Sequence, residues 1–383
     1  MTIFSATEIA RRHRVVRDRT SDIDAVVVFS FFNAYYLTGV PIMGWGRPTI
    51  AILPRDGAPT VVAAGGELAR IRKYAPIEDV RTYADLDGPN VDASLRLTAD
   101  VITSLGARRI GVDANGTPAA TLGLLRDLLD GVDIVDVSEI LDDAKAVFSD
   151  QELGHVRAVA DILDHGMTSY LDTARLGMAE IVLAGRAMVA MMEFAATRYP
   201  TAEVRVNCYS QQGLRTLEPH TAATGSPLEA GQLMCVVMEA YVWNYQGALE
   251  RTIALGDIPA DARRLNTAIV EAQQRAFEAI GPGAPMSEVD RVSRAVFEAA
   301  GFAVAPSGAG LGRGLLTEWD GRLDQMNLRA YNDRPMVPNM VFTVEPFAFA
   351  EGIGAPRHCD LVRVTDDGRE ILNKARSGYL EIR

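Results

Sequence analysis

The sequence predicts two domains. An α/β N-terminal domain with a mixed sheet spans 1–147, and an α+β domain at 148–383 has helices flanking a largely antiparallel sheet. Three observations point there. The chain has 383 residues, more than one ordinary hydrophobic core organises. Its first part alternates short apolar runs with helical patterns, the signature of a layered α/β domain. At 148–153 the run FSDQEL then opens a long amphipathic stretch. Ser149 is placed as an N-cap with Glu152 three residues on, a capping box, and Phe148 and Leu153 are placed for a hydrophobic staple.

The elements follow in order. AVVVFS, TIAILP, TVVAA, RIGVDA and VDIVDV read as strands of the first domain, and DASLRLTADVITSLG and TLGLLRDLLDG as the helices that pack on them. In the second domain the periodicity predicts helices over 150–174, 179–197, 261–280 and 286–300. Between them VRVNCYS, QLMCVVMEAYV, QGALERTIAL, MVFTVEPFAF and CDLVRVT read as strands. The 22 residues between Asp24 and Arg47 carry no charge, long enough to suggest a membrane span. Asn33, Gly39, Pro41 and Gly44 interrupt them, so the segment is expected to be a buried strand, a turn and a second strand.

Composition excludes several classes. A net charge of −12 argues against nucleic acid, whose phosphates need a basic stripe. It leaves room for a small anionic substrate held by a few well-placed arginines. Three widely spaced cysteines, Cys208, Cys235 and Cys359, with no C-x-x-C, fit a reducing compartment and neither a disulfide framework nor a zinc site. The N-terminal MTIFSATEIARRHR is charged where a signal peptide is apolar, so the expectation is a cytoplasmic protein with no membrane partner.

The anomalies are polar residues inside apolar strands. Glu250 and Arg251 sit in QGALERTIAL, Glu345 in MVFTVEPF, and Asp360 after Arg357, His358 and Cys359. A buried carboxylate is costly unless paired or used. His220, among five histidines, lies in a Pro- and Gly-containing loop leading into a strand. Each has a plain reading too. Glu250 beside Arg251 fits an edge ion pair facing water, His220 a surface histidine, Cys359 a small buried hydrophobe, and Arg47 a turn arginine. Spacing alone does not choose between these.

Taken in this order, the segments resemble the creatinase/prolidase family, the peptidase M24-like proteins of pita-bread fold. The resemblance covers essentially the whole chain. NAYYLTGV followed by GRPTIAILPRDGAPTVV is similar to its N-terminal domain, and the stretch from SDQEL to VRVTDDGREIL to its pita-bread domain. Peptidases of the family hold two metal ions with two Asp, a His and two Glu, an oxygen-rich set suited to generating hydroxide near neutral pH. Matched position by position, the two Asp are Val237 and Ala248 here, the His of the glycine-rich stretch is Arg313 in GLGRG, Glu345 is kept, and the final Glu is Cys359 in RHCD. The resemblance therefore implies no metal and no other cofactor.

Creatinase is the branch that works without metal, and it shares ALERT. It implies His220 as catalytic acid/base, with Glu250 and Glu345 as carboxylates gripping a guanidino group. Arg329 would bind a substrate carboxylate, and Trp45 and Arg47 would reach in from the neighbouring subunit's N-terminal domain, which implies a homodimer. Cys359 stands where creatinase has a second imidazole and is carried with the catalytic set, while His358 and Arg313 join the substrate-side candidates. Adjacent strand residues face opposite ways, so His358 replaces that imidazole only through a bulge.

The implied activity is metal-independent hydrolysis of a non-peptide C–N bond, guanidino, amidine or cyclic amide, in a small carboxylated substrate. Two carboxylates clamp the nitrogen-rich group and arginines its carboxylate. An imidazole titrating near neutrality takes a proton from water and returns one to the leaving nitrogen. Three rivals stand beside it: a metal-dependent Xaa-Pro peptidase, a catalytically inactive pita-bread binding protein, and a lyase or tailoring enzyme of specialised metabolism.

Overall fold

The computed structural model describes residues 2–42, 46–86, 88–312 and 326–383. Trp45 and Arg313 lie outside the described residues. The chain divides into two compact units, the first running to Lys145 and the second starting at Ala146.

The first unit contains α1 (Ala6–Arg19), β1 (Ala25–Val28), α2 (Phe31–Thr38), β2 (Ile50–Pro54), β3 (Thr60–Ala64), α3 (Leu68–Tyr74), β4 (Asp79–Tyr83), α4 (Asn90–Ser104), β5 (Arg109–Val112), α5 (Ala119–Leu128), β6 (Asp133–Asp136) and α6 (Ser138–Ala146). The strands form one sheet in the order β4-β3-β2-β1-β5-β6. β1 and β3 run antiparallel to β2, whereas β4 is parallel to β3 and β5 to both β1 and β6, so the sheet is mixed. Apolar strand faces meet α4 and α5 in a core that includes Val27, Ile52, Val62, Leu95, Ile102 and Leu125.

The uncharged run departs from the strand–turn–strand expectation. After β1 the chain turns into α2, where Ser30 accepts a hydrogen bond from the Asn33 N–H at 3.2 Å and Gly39 closes the helix at φ 73°. Periodicity cannot separate a fully buried helix from a buried strand; here the serine cap and the left-handed glycine decide it. Among the described residues no helix is long and apolar enough to cross a membrane.

The second unit opens with α7 (Asp150–Thr173), started by the capping box expected of Ser149 and Glu152. The second Glu152 oxygen accepts from Tyr245 Oη at 2.8 Å, so the cap also ties the helix to the sheet. Then come α8 (Glu180–Arg198), β7 (Val204–Gln212), β8 (Gln232–Val242), β9 (Tyr245–Leu255), α9 (Ala260–Ala279), α10 (Met286–Ala299), β10 (Ala303–Val304), β11 (Gly310–Gly312), β12 (Val341–Val344), β13 (Ala348–Phe349), β14 (Asp360–Val364), β15 (Arg369–Ile371) and β16 (Leu380–Ile382). Two four-stranded sheets, β16-β9-β8-β7 and β11-β12-β14-β15, are antiparallel except for β16 against β9. They are joined where Glu250 of β9 pairs with Cys359 just before β14. Gly247 marks how tightly α7, β9 and β14 pack: a Cβ there would lie 2.6 Å from Leu361 and 2.7 Å from Val159.

Candidate active site

The junction of the two sheets gathers the strand carboxylates. The Glu250 N–H donates to the Cys359 carbonyl at 3.1 Å and the Cys359 N–H returns the bond at 3.1 Å. That exchange puts the two side chains on one face, as expected of a directly paired antiparallel couple. Glu345 follows β12, its N–H bound to the Ala309 carbonyl at 2.8 Å. Side-chain donor atoms of Glu250, Glu345 and Cys359 all lie within 4.8 Å of one another. Val237 faces Glu250 in register, and Ala248 lies two residues before it on the same face; both are buried.

The cation in this cluster is Arg357. Its Nε lies 2.6 Å from Glu250 Oε2, with both side chains buried. Arg357 and Cys359 are two apart, which sends both to the same face. Burial disfavours the guanidinium, but Glu250, with Cys235 and Glu345, outweighs it and holds the Arg357 pKa above the ordinary arginine value. Sequence reasoning missed this pairing. It read the guanidinium on Glu250 as the substrate's, although the i, i+2 spacing of RHC carried the signal.

Arg251 is not the partner of Glu250, and neither is an edge residue facing water; both are buried. Arg251 points to the other face and forks onto Asp360, with Nη2 to Oδ1 at 2.8 Å and Nη1 to Oδ2 at 3.1 Å. Gln273 donates to the same carboxylate at 3.0 Å. Adjacent charges of ALERT are thus sorted onto opposite faces, and each is neutralised from the 357–360 segment.

His358 is corrected. It is fully buried on the face away from Cys359, its Nδ1 accepting from the Thr252 N–H at 3.3 Å. Burial, reinforced by nearby Arg251, lowers its pKa from 6.5 to about 3, so it is neutral at physiological pH. No bulge turns it toward the carboxylates, and it is removed from the substrate-side set.

His220 is exposed in the loop after the 3-10 turn Gly213–Leu217. Both sides of that loop are anchored. Gln211 on β7 donates through Nε2 to the carbonyls of Glu218, at 3.1 Å, and Thr221, at 2.7 Å. Arg215 bonds the Ala222 carbonyl and forms an ion pair with the fully buried Glu180, which also accepts from the Thr224 N–H at 3.2 Å. Gln211 stands in register with Cys235, itself opposite Thr252, so the tether is rooted one pleat from Glu250.

Arg329 is half-buried, Nη1 reaching the Gly310 carbonyl at 3.2 Å, along the Ala309–Gly310 segment that flanks Glu345. Gly308 makes room for it: at φ 77° a Cβ there would lie 2.5 Å from Arg329 Cδ. Arg47, in the first unit, is exposed and bidentate on Asp85, Nε–Oδ1 3.0 Å and Nη2–Oδ2 2.6 Å.

The thiols are buried. Cys359 Sγ lies 3.7 Å from the Ala248 carbonyl as its donor. Cys235 is raised to about 12 by burial. The donor group does not suit two divalent ions. Val237 and Ala248 offer no ligand atoms, and the Arg357 cation already sits on Glu250.

Comparison with known proteins gives the family. Residues 154–366 match the model of metallopeptidase family M24, and residues 14–147 that of the creatinase/prolidase N-terminal domain. The chain is 26% identical to creatinase of Bacillus sp. (strain B-0618) over 384 residues, covering 97% of this chain and 92% of that protein. It is 28% identical to a probable dipeptidase PepE of Mycobacterium tuberculosis (strain ATCC 25618 / H37Rv) over 377 residues, covering 97% and 96%. Its fold matches the solved structure of an Xaa-Pro dipeptidase from Bacillus anthracis with a TM-score of 0.83 at 20% identity, over 98% of this chain and 100% of that one. The chain belongs to metallopeptidase family M24, with a creatinase/prolidase N-terminal domain preceding a pita-bread domain.

Proposed function

We propose that the protein is a metal-independent, creatinase-like hydrolase that cleaves a non-peptide C–N bond, guanidino, amidine or cyclic amide, in a small carboxylated substrate. The observation that carries this reading is that Val237 and Ala248, buried beside Glu250 where the peptidases are expected to place two metal-binding Asp, carry no donor. The Glu250–Arg357 ion pair lies beside these two positions and leaves Glu250 already neutralised. His220 takes a proton from water and delivers one to the leaving nitrogen. Glu345 holds the N–H groups of the bond being broken, Arg357 keeps Glu250 in place beneath it, and Arg329 receives the substrate carboxylate. Arg47 joins the neighbouring subunit's site in a homodimer by exchanging Asp85 for substrate.

The test is a screen of guanidino acids, amidines and cyclic amides with chelator-treated protein, reading urea or amine release. Turnover that survives chelation and is lost in His220→Ala supports the reading. Wild type and His220→Ala behaving alike on every compound would sink it.

A metal-dependent Xaa-Pro peptidase is the second reading. It is favoured by the approach of Glu250, Glu345 and Cys359 to within 4.8 Å and by relatives named as dipeptidases. Metal analysis of purified protein separates the two: tightly held ions with peptidase activity lost on chelation belong to this second reading.

A further inference from the structure

The sheet face that presents Glu250 carries a further carboxylate, which the proposed reaction does not use. β8 and β9 pair without a break from Gln232–Leu255 to Val242–Tyr245. Successive strand residues alternate faces, so Gln246 and Ala248 share the face of Glu250, and Glu239 and Tyr241 that of Val237. Glu239 stands directly opposite Ala248. A carboxylate absent at 248 is thus present across the ladder at 239. Among the described residues Glu239 does not join Glu250, Glu345 and Cys359, whose donor atoms lie within 4.8 Å of one another. It is diagonal to Glu250, about 7–8 Å away between Cα atoms.

Gln246 gives this second carboxylate its setting. Its Nε2 donates to Glu239 Oε1 at 3.2 Å and to Tyr241 Oη at 2.9 Å. A carboxylate only accepts, so the amide nitrogen faces Glu239 and the orientation of the amide is fixed. Oε1 is thereby turned away from both partners. It is buried with no donor among the described residues, on a residue only 2% exposed. A buried acceptor without a donor is costly, which points to a group that supplies one. The next residue along β9 on this face is Ala248, so no longer side chain of the strand stands between Gln246 and Glu250. On the β7 side, exposed Asn207 donates to Glu239 Oε2 at 3.4 Å. Arg205 is held on the Tyr241 ring, 4.4 Å from its centroid, and by Asn244 Oδ1 at 2.6 Å.

We propose that Glu239 and Gln246 bind an ammonium group of the substrate, which makes the substrate class a guanidino or amidino α-amino acid. The inference rests on the proposed hydrolase reading, which lays the C–N bond under attack against Glu345 and beside Glu250. Two acceptors lie side by side here, a carboxylate oxygen and Gln246 Oε1. An ammonium has three donors and meets both, whereas a hydroxyl has one. The separation from Glu250 is that of about six bonds of an extended chain. An arginine-like molecule spaces its α-nitrogen from its guanidino carbon by the same number. Its carboxylate is the group assigned to Arg329.

Isothermal titration calorimetry on the full chain tests this with L-arginine and 5-guanidinopentanoate, which differ only in the α-ammonium. Where wild type hydrolyses a probe, its affinity is read in His220→Ala. L-arginine should bind about tenfold tighter or more, as a charge-assisted hydrogen bond allows. Glu239→Gln and Gln246→Met should each bring the ratio to within about twofold. Circular dichroism shows whether each variant has folded, and half-buried Glu239 gives the answer if buried Gln246 tolerates no change. Equal binding of the two probes, binding of neither, or a preference that survives in the folded variants overturns the proposal. Because the readout is binding, the two readings fail separately. A preference lost in the variants, with no compound hydrolysed, overturns the hydrolase and keeps the ammonium site. Hydrolysis without a preference does the reverse.

Discussion

Glu250 and Arg357 meet at 2.6 Å at the junction of two sheets, and this pair sets the charge balance of the candidate site. One residue on, Arg251 and Asp360 make the complementary pair on the opposite face. Breaking a buried pair from one side leaves an uncompensated charge. Arg357→Met keeps an apolar stem but strands Glu250, and should cost about 3–5 kcal/mol in denaturant unfolding. It also removes the cation that opposes a metal. The variant should then retain about one zinc per chain through Glu250, Glu345 and Cys359, where the proposed function expects wild type to retain none. A variant as stable as wild type and equally poor in zinc would show that Arg357 does not set this balance.

His358 gives a pH dependence with a definite sign. Its folded pKa is lowered from 6.5 to about 3, with burial the main cause and Arg251 adding to it. The unfolded chain therefore binds a proton that the folded chain refuses between these values. Stability is fully present above pH 6.5 and is lost as pH falls toward 3, by at most about 1.4 kcal/mol per unit from this group. His13, also lowered by burial, contributes with the same sign, so the difference between variants isolates His358. His358→Asn retains an acceptor for the Thr252 N–H and should flatten the acid limb. An unchanged slope would mean that His358 is already protonated in the folded protein.

Much of the fold was legible in the sequence. The capping box at Ser149 placed α7, and the apolar, strand-like run QGALERTIAL placed β9, because caps and short apolar runs are local properties. The helix at 31–38 was not legible as such, since a run buried on every side carries no periodicity. At the site, the meeting of Glu250, Glu345 and Cys359 followed from the resemblance, but the partner of Glu250 did not. An ion pair across 107 residues of sequence depends on how β9 and the 357–360 segment come into register, which only the folded sheet supplies.

Gln211 should act as a positioning residue for His220. Its side chain bonds the carbonyls on both sides of the histidine, Glu218 and Thr221. Displacing a catalytic group by about 1 Å costs on the order of 100-fold in rate. Gln211→Met should lower kcat by about 10- to 100-fold on the substrate found in the screen, with a smaller change in KM. Combined with His220→Ala it should add little further loss, because the two act through one group. Independent, multiplying effects in the double variant would assign Gln211 a merely structural role.

Cys359 is the remaining question at the cluster, and burial gives a prediction that separates nucleophile from packing residue. A nucleophilic cysteine needs a thiolate and access. Cys359 is fully buried and points at the Ala248 carbonyl, 3.7 Å away. Cys208 and Cys235 are buried as well and raised by desolvation. Iodoacetamide should therefore label none of the three in the native protein within minutes and all three in denaturant, read by intact mass. Cys359→Ala removes one sulfur from a packed position. It should cost about 1–2 kcal/mol and leave turnover within about tenfold, because the neutral thiol supplies only a weak donor. Rapid native labelling at Cys359 together with complete loss of turnover in the alanine variant would make it the nucleophile, and the water-activating role of His220 would then have to be given up.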